Sequence, residues 1–136
     1  MAISREKLLE AATRISECPG LAMDPHDLVD DVFLLSEIWS EEGEFEHVVN
    51  ATCYAIGQLV SRKVTPGFLK YGYQGWLSYH YQAHREQGAK AVCRIVFKFN
   101  ENGIDCVGFG HRHEPAEIYH RLKGRLERES EDQIGN

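Results

Sequence analysis

The stretch that decides the fold is Ala91–Asn100, AVCRIVFKFN, which runs through Glu101 and Asn102-Gly103 into IDCVGFG at Ile104–Gly110. In the first run Val92, Arg94, Val96 and Lys98 alternate with Cys93, Ile95, Phe97 and Phe99, the period of a strand with two different faces. Asn102-Gly103 is the dipeptide that best accepts the positive φ angles of a tight hairpin turn. The two runs are therefore expected to pair as antiparallel neighbours. Directly after them come His111-Arg112-His113 and Glu114-Pro115, with an amphipathic helix predicted from there through Arg125. Cationic side chains are thus gathered where a strand ends and a helix begins, an arrangement suited to holding an anion.

Working outward, Trp76–Ala83 alternates as a further strand, so a three-stranded antiparallel meander is expected over about 75–83, 90–100 and 104–110. Phe68–Gly75 is aromatic and glycine-rich and reads as irregular. Ser4 can cap a helix from Arg5 to about Glu17, with Ile3, Leu8, Ala11, Ala12 and Ile15 as its apolar stripe. Asp24-Pro25 provides a cap and a first-turn proline for a second helix to about Glu41. After Gly43 a third is expected over Glu44–Lys63, with a short strand near Val48–Tyr54 as the alternative. The fold class is α+β: N-terminal helices, the meander, and a C-terminal helix. The 136 residues fit one domain, divided into an acidic helical part at 1–50, the meander and terminal helix at 68–125, and a polar flexible tail at 127–136.

The net charge of −6 conceals an asymmetry. Residues 1–50 carry three Lys/Arg against twelve Asp/Glu, 51–125 carry eleven against five, and 126–136 one against four. A cationic middle suited to polyanions lies between anionic ends. The acidic first fifty residues either lie near the cationic face and mask it, or keep their carboxylates in water. The sequence has neither an apolar run long enough for a membrane helix nor a secretory h-region at its start, so a cytoplasmic protein is expected. The four cysteines, Cys18, Cys53, Cys93 and Cys106, read as buried free thiols, with a Cys93–Cys106 link across the hairpin left open.

Arg94-Ile95-Val96-Phe97, Gly108-Phe109-Gly110-His111-Arg112, and Pro115 with Ile118-Tyr119 together resemble the C-terminal half of the RelE/ParE-like toxin superfamily, including its HigB-like branch. Trp76–His80 stands where that family has its preceding strand, and the likeness spans roughly Phe68–Leu122. The resemblance implies a small sheet backed by helices and a toxin of a toxin–antitoxin pair. Its active members are metal-independent endoribonucleases that cleave translated mRNA by attack of a 2′-hydroxyl on the adjacent phosphate. Carried over by position, Arg94 and Arg112 hold the phosphate, Tyr119 stacks or transfers a proton, and His111 or His113 serves as acid or base. Guanidinium suits this role because it binds the oxygens of the transition state bidentately. Lys70, His80 and Arg85 are candidates for RNA backbone contacts. The implied partners are mRNA on the ribosome and a cognate antitoxin, with no cofactor and no membrane.

Each residue also has a structural reading. Arg94 is then a solvated cross-strand partner and Tyr119 a core residue. A non-catalytic binding protein on the same fold, such as a gyrase-type inhibitor or a regulatory partner, is the second functional reading. The third is a metal or small-molecule site built from His111 and His113 with His80, His84 or Cys106.

Overall fold

The structure, a computed structural model, describes residues 2–68, 75–84 and 90–134. Helix α1 spans Arg5–Ser16, capped by Ser4, whose hydroxyl accepts from the Lys7 amide. Strand β1 is Leu21–Ala22, and α2 is Pro25–Ile38, with Asp24 accepting from the amides of His26 and Asp27. Helix α3 is Glu42–Val60, where Glu41 accepts from the Gly43 and Glu44 amides. Strands β2 (Gly67–Phe68), β3 (Leu77–Tyr81), β4 (Cys93–Asn100) and β5 (Gly103–His111) follow, then α4 (Ile118–Arg121) and α5 (Lys123–Ile134).

The class is α+β, but the sheet is larger than the meander expected from sequence. It has five strands in the order β1-β5-β4-β3-β2 and is mixed. The antiparallel β3-β4-β5 meander forms its centre; β1 adds a parallel edge beside β5 and β2 an antiparallel edge beside β3. Each added strand has two residues, too few for any alternation to register in the sequence. Gly67–Phe68 therefore joins the sheet at the start of a segment that reads as irregular.

The hairpin differs from expectation by one residue. Asn100 pairs with Gly103, so the turn is Glu101-Asn102, built by the Asn100 side chain accepting from the Asn102 amide. Gly103 instead allows a close approach: a Cβ there would lie 2.1 Å from the Gly20 carbonyl oxygen. Gly20, at φ +84°, turns the chain after Pro19 so that its carbonyl accepts from the Ile104 amide.

A bulge opposite Val96/Phe97 leaves Val107 as the extra residue in β5. This changes the face of everything after it. Ile104, Cys106 and Phe109 all pack under α1–α3, although strict alternation would set Phe109 on the other side. Val107 joins Trp76, Val96, Ile118, Leu122 and Leu126 in a second core beneath α4 and α5. The sheet is thus covered on both faces.

The terminal helix starts later and runs further than expected. Glu114-Pro115 is a cis bond that precedes it, Glu117 caps it through the Tyr119 and His120 amides, and α5 continues to Ile134 where a flexible tail was expected. The cysteines also settle differently. Cys93 lies opposite His111 and Cys106 opposite Phe97, so the two are offset along the ladder and do not face each other across the hairpin. All four thiols are free.

Candidate anion-binding face

The register aligns side chains in rows across the sheet. His80, Arg94 and Gly110 form one row, and Ser78, Val96 and Gly108 the next. Alternation turns both rows toward α4 and α5, because Cys93 and Ile95 belong to the opposite core. Tyr119 reaches this face and its hydroxyl meets Ser78 Oγ at 2.7 Å. Three expected site residues, His80, Arg94 and Tyr119, therefore belong to one face.

Arg94 is 7 % exposed, not the solvated cross-strand residue of the structural reading. Its Nη1 donates to the carbonyls of Ala91 and Cys93, which fix the guanidinium against the backbone. Among the described residues neither Arg94 nor Arg112 forms a salt bridge with a carboxylate. Tyr119 is partly buried against the second core.

The basic knot straddles the end of β5, with His111 its last residue. His111 lies opposite Cys93, and its ring packs 5.7 Å from that of Trp39, on the α2 side. Arg112 lies just beyond β5, where its amide still donates to the Val92 carbonyl. His111 Nδ1 accepts from the amides of His113 (3.0 Å) and Glu114 (3.2 Å), which requires that nitrogen to be unprotonated. Burial holds its pKa below the ordinary histidine value, and the charges of His113, Arg112 and Arg94 act in the same direction against Glu114. His111 is thus a neutral organiser of the turn, with only Nε2 left for other chemistry. His113 is exposed, its ring 6.4 Å from that of His111. Lys70 and Arg85 lie outside the described residues.

No group of three or more His, Cys, Asp or Glu able to hold a metal occurs among the described residues, so the His111–His113 metal reading gains no third ligand there. A cavity of about 660 Å³ lies instead between α3 and β3, lined by His47, Asn50, Tyr54, Tyr79 and His84 among others. The rings of His47 and His84 meet edge-on at 4.2 Å beside it.

A charge network missed by the sequence reading flanks the site. Asp31 of α2 has no solvent exposure. Its carboxylate accepts from Arg121 at 2.7 Å, from Arg125 at 3.0 Å and from the Phe109 amide at 3.0 Å. Asp27 holds Arg125 at 3.3 Å and Arg128 at 2.7 Å. Arg121 and Arg125 also donate to the Phe109 and Val107 carbonyls. Because β1 pairs only with Ile104 and Asp105, the outer edge of β5 beyond them would lack partners. These side chains take the place of the missing strand. The sequence did carry a signal: Asp24, Asp27 and Asp31 recur at helical spacing beside the Leu28–Val32–Leu35 stripe, as do Arg121, Arg125 and Arg128.

No helix among the described residues is long and apolar enough to cross a membrane. Comparison with family models, curated proteins and solved structures finds no match for the chain.

Proposed function

We propose that this chain is the toxin of a toxin–antitoxin pair, an endoribonuclease that cleaves translated mRNA in the cytoplasm without a metal. One observation carries the reading. Arg94 shares a sheet face with His80 and Tyr119 and has no carboxylate partner among the described residues, whereas Arg121, Arg125 and Arg128 are each paired with Asp27 or Asp31. In this reading Arg94 and Arg112 hold the scissile phosphate, and the guanidinium charge offsets that of the transition state. The exposed His113 is a better acid or base than His111, whose Nδ1 already serves the turn. Tyr119 stacks on a base, while Lys70, His80 and Arg85 contact the RNA backbone. A cognate antitoxin would cover the same face.

A second reading, a non-catalytic binding protein on this fold, is favoured by the Tyr119–Ser78 bond and the anchoring of Arg94, which engage two groups the chemistry would use. Induced expression followed by mapping of mRNA 5′ ends separates the two. Growth arrest with new cleavage ends, both lost in Arg112→Ala, is expected. Arrest with intact mRNA would transfer the assignment to the binding reading, and growth without arrest would refute the toxin proposal.

A further inference from the structure

We propose that Cys18 and Cys53 form an oxidisable dithiol, a modification site at which a hydroperoxide converts the pair to a disulfide that ties α1 to α3. The geometry begins one turn away. Arg14 of α1 donates through Nη2 to the Asn50 side chain of α3, fixing the two helices against each other. The pairs Lys7–Glu42 and Arg14–Asn50 show that α1 and α3 run in the same direction, so Cys18, in the turn just after α1 with its amide on the Ile15 carbonyl, comes level with Cys53, one turn of α3 beyond Asn50. There the two thiols interact with each other, both side chains pack against the same core, and Cys18 Sγ approaches the Arg14 carbonyl at 3.6 Å. Both residues are half-buried, within reach of a small oxidant. Cys93 and Cys106 are buried in the core.

The pair is asymmetric. The hydrogen bond from Cys18, with the nearby Arg14 charge, lowers the pKa of Cys53 to about 7 against the opposing effect of burial. The same hydrogen bond and burial raise that of Cys18. Cys53 is therefore the nucleophile and Cys18 the resolving thiol. The Cys53 thiol releases its proton to solvent, and the thiolate attacks the outer oxygen of the peroxide. The O–O bond breaks, sulfur loses two electrons, and the departing alkoxide or hydroxide takes up a proton, leaving Cys53 as a sulfenic acid. Cys18 sulfur then attacks Cys53 sulfur; the S–O bond breaks, and the hydroxyl leaves as water with the Cys18 proton. This inference is independent of the RNA site.

The test uses the folded full chain, hydrogen peroxide as the probe, and peptide mapping by mass spectrometry. A Cys18–Cys53 cross-link with a mass loss of two hydrogens is expected, with Cys93 and Cys106 still reduced. Cys18→Ser should stop at a dimedone adduct on Cys53, and Cys53→Ser should leave Cys18 unoxidised. Alkylation of the unmodified chain provides a readout that needs no variant: at pH 7 iodoacetamide should label Cys53 at least roughly tenfold faster than Cys18. Reduced Cys18 and Cys53 after peroxide, oxidation of Cys93 or Cys106 in their place, or equal labelling of the two thiols would overturn the proposal.

Discussion

Asp31 is a fully buried carboxylate whose two oxygens serve two arginines and one strand amide. Replacing it leaves Arg121 without a carboxylate partner in a largely buried site and Arg125 with Asp27 alone, a loss that typically costs about 3–5 kcal/mol. Asp31→Ala is expected to lower the unfolding free energy measured in urea by that amount, whereas substitution of the exposed Glu10 should barely move it. His111 makes a pH-dependent contribution. Its folded pKa lies below its ordinary value, so the unfolded chain binds the extra proton more readily. The stability it contributes is whole above about pH 6.5, the unfolded histidine value, and is lost as the pH falls through the lower folded value. His111→Asn retains an acceptor near the position of Nδ1 but cannot titrate. Denaturation at pH 7.5 and pH 5.5 should show a smaller difference for this variant than for the unmodified protein.

Among the elements, the contact between β5 and the terminal helices depends on an absent side chain. A Cβ on Gly108 would lie 2.4 Å from Leu122 Cδ2, and Leu122 is fully buried in the second core. Gly108→Ala should therefore cost about 1–3 kcal/mol through overpacking, read from thermal or urea unfolding. Gly57→Ala, where a Cβ meets nothing within 4 Å, is the matched control and should be neutral or stabilising. The helices were legible in the sequence where a cap preceded a stripe, as at Ser4 and Asp24. The reach of the last helix beyond Arg125 was not, because the sequence after Leu126 is mostly charged and polar and carries no apolar stripe.

For the whole molecule, the asymmetry of charge resolves into pairing within one chain. Asp27 and Asp31, from the acidic first fifty residues, pair with Arg121 of α4 and with Arg125 and Arg128 of α5 across the sheet edge. Other N-terminal acids do local work: Glu41 caps α3 and Glu42 meets Lys7 at 3.3 Å. Among the described residues, Arg94 and Arg112 at the sheet end form no such pair. If RNA binds as proposed, Arg112→Gln should reduce the slope of log affinity against log salt by about one, while Arg128→Gln, already paired with Asp27, should leave it unchanged. Filter binding across a salt series measures both. Equal slopes for the two variants would place the RNA elsewhere.

The sequence by itself determined the hairpin, the helix starts and the separation of charge, because alternation, caps and composition act over a few neighbouring residues. Only the tertiary structure decided the rest. The bulge at Val107 moved Phe109 to the α1–α3 face and, with it, set His111 against Trp39. The two-residue edge strands exist because Gly20 and Gly103 permit a backbone approach, and because Ser78 and Leu77 already offer a sheet edge to Gly67 and Phe68. Asp31 found Arg121 ninety residues away, and Cys18 found Cys53, through packing that no local pattern encodes. Such pairings are set when the faces of distant elements close on one another, since burial selects whichever long-range contacts leave the fewest polar groups without partners.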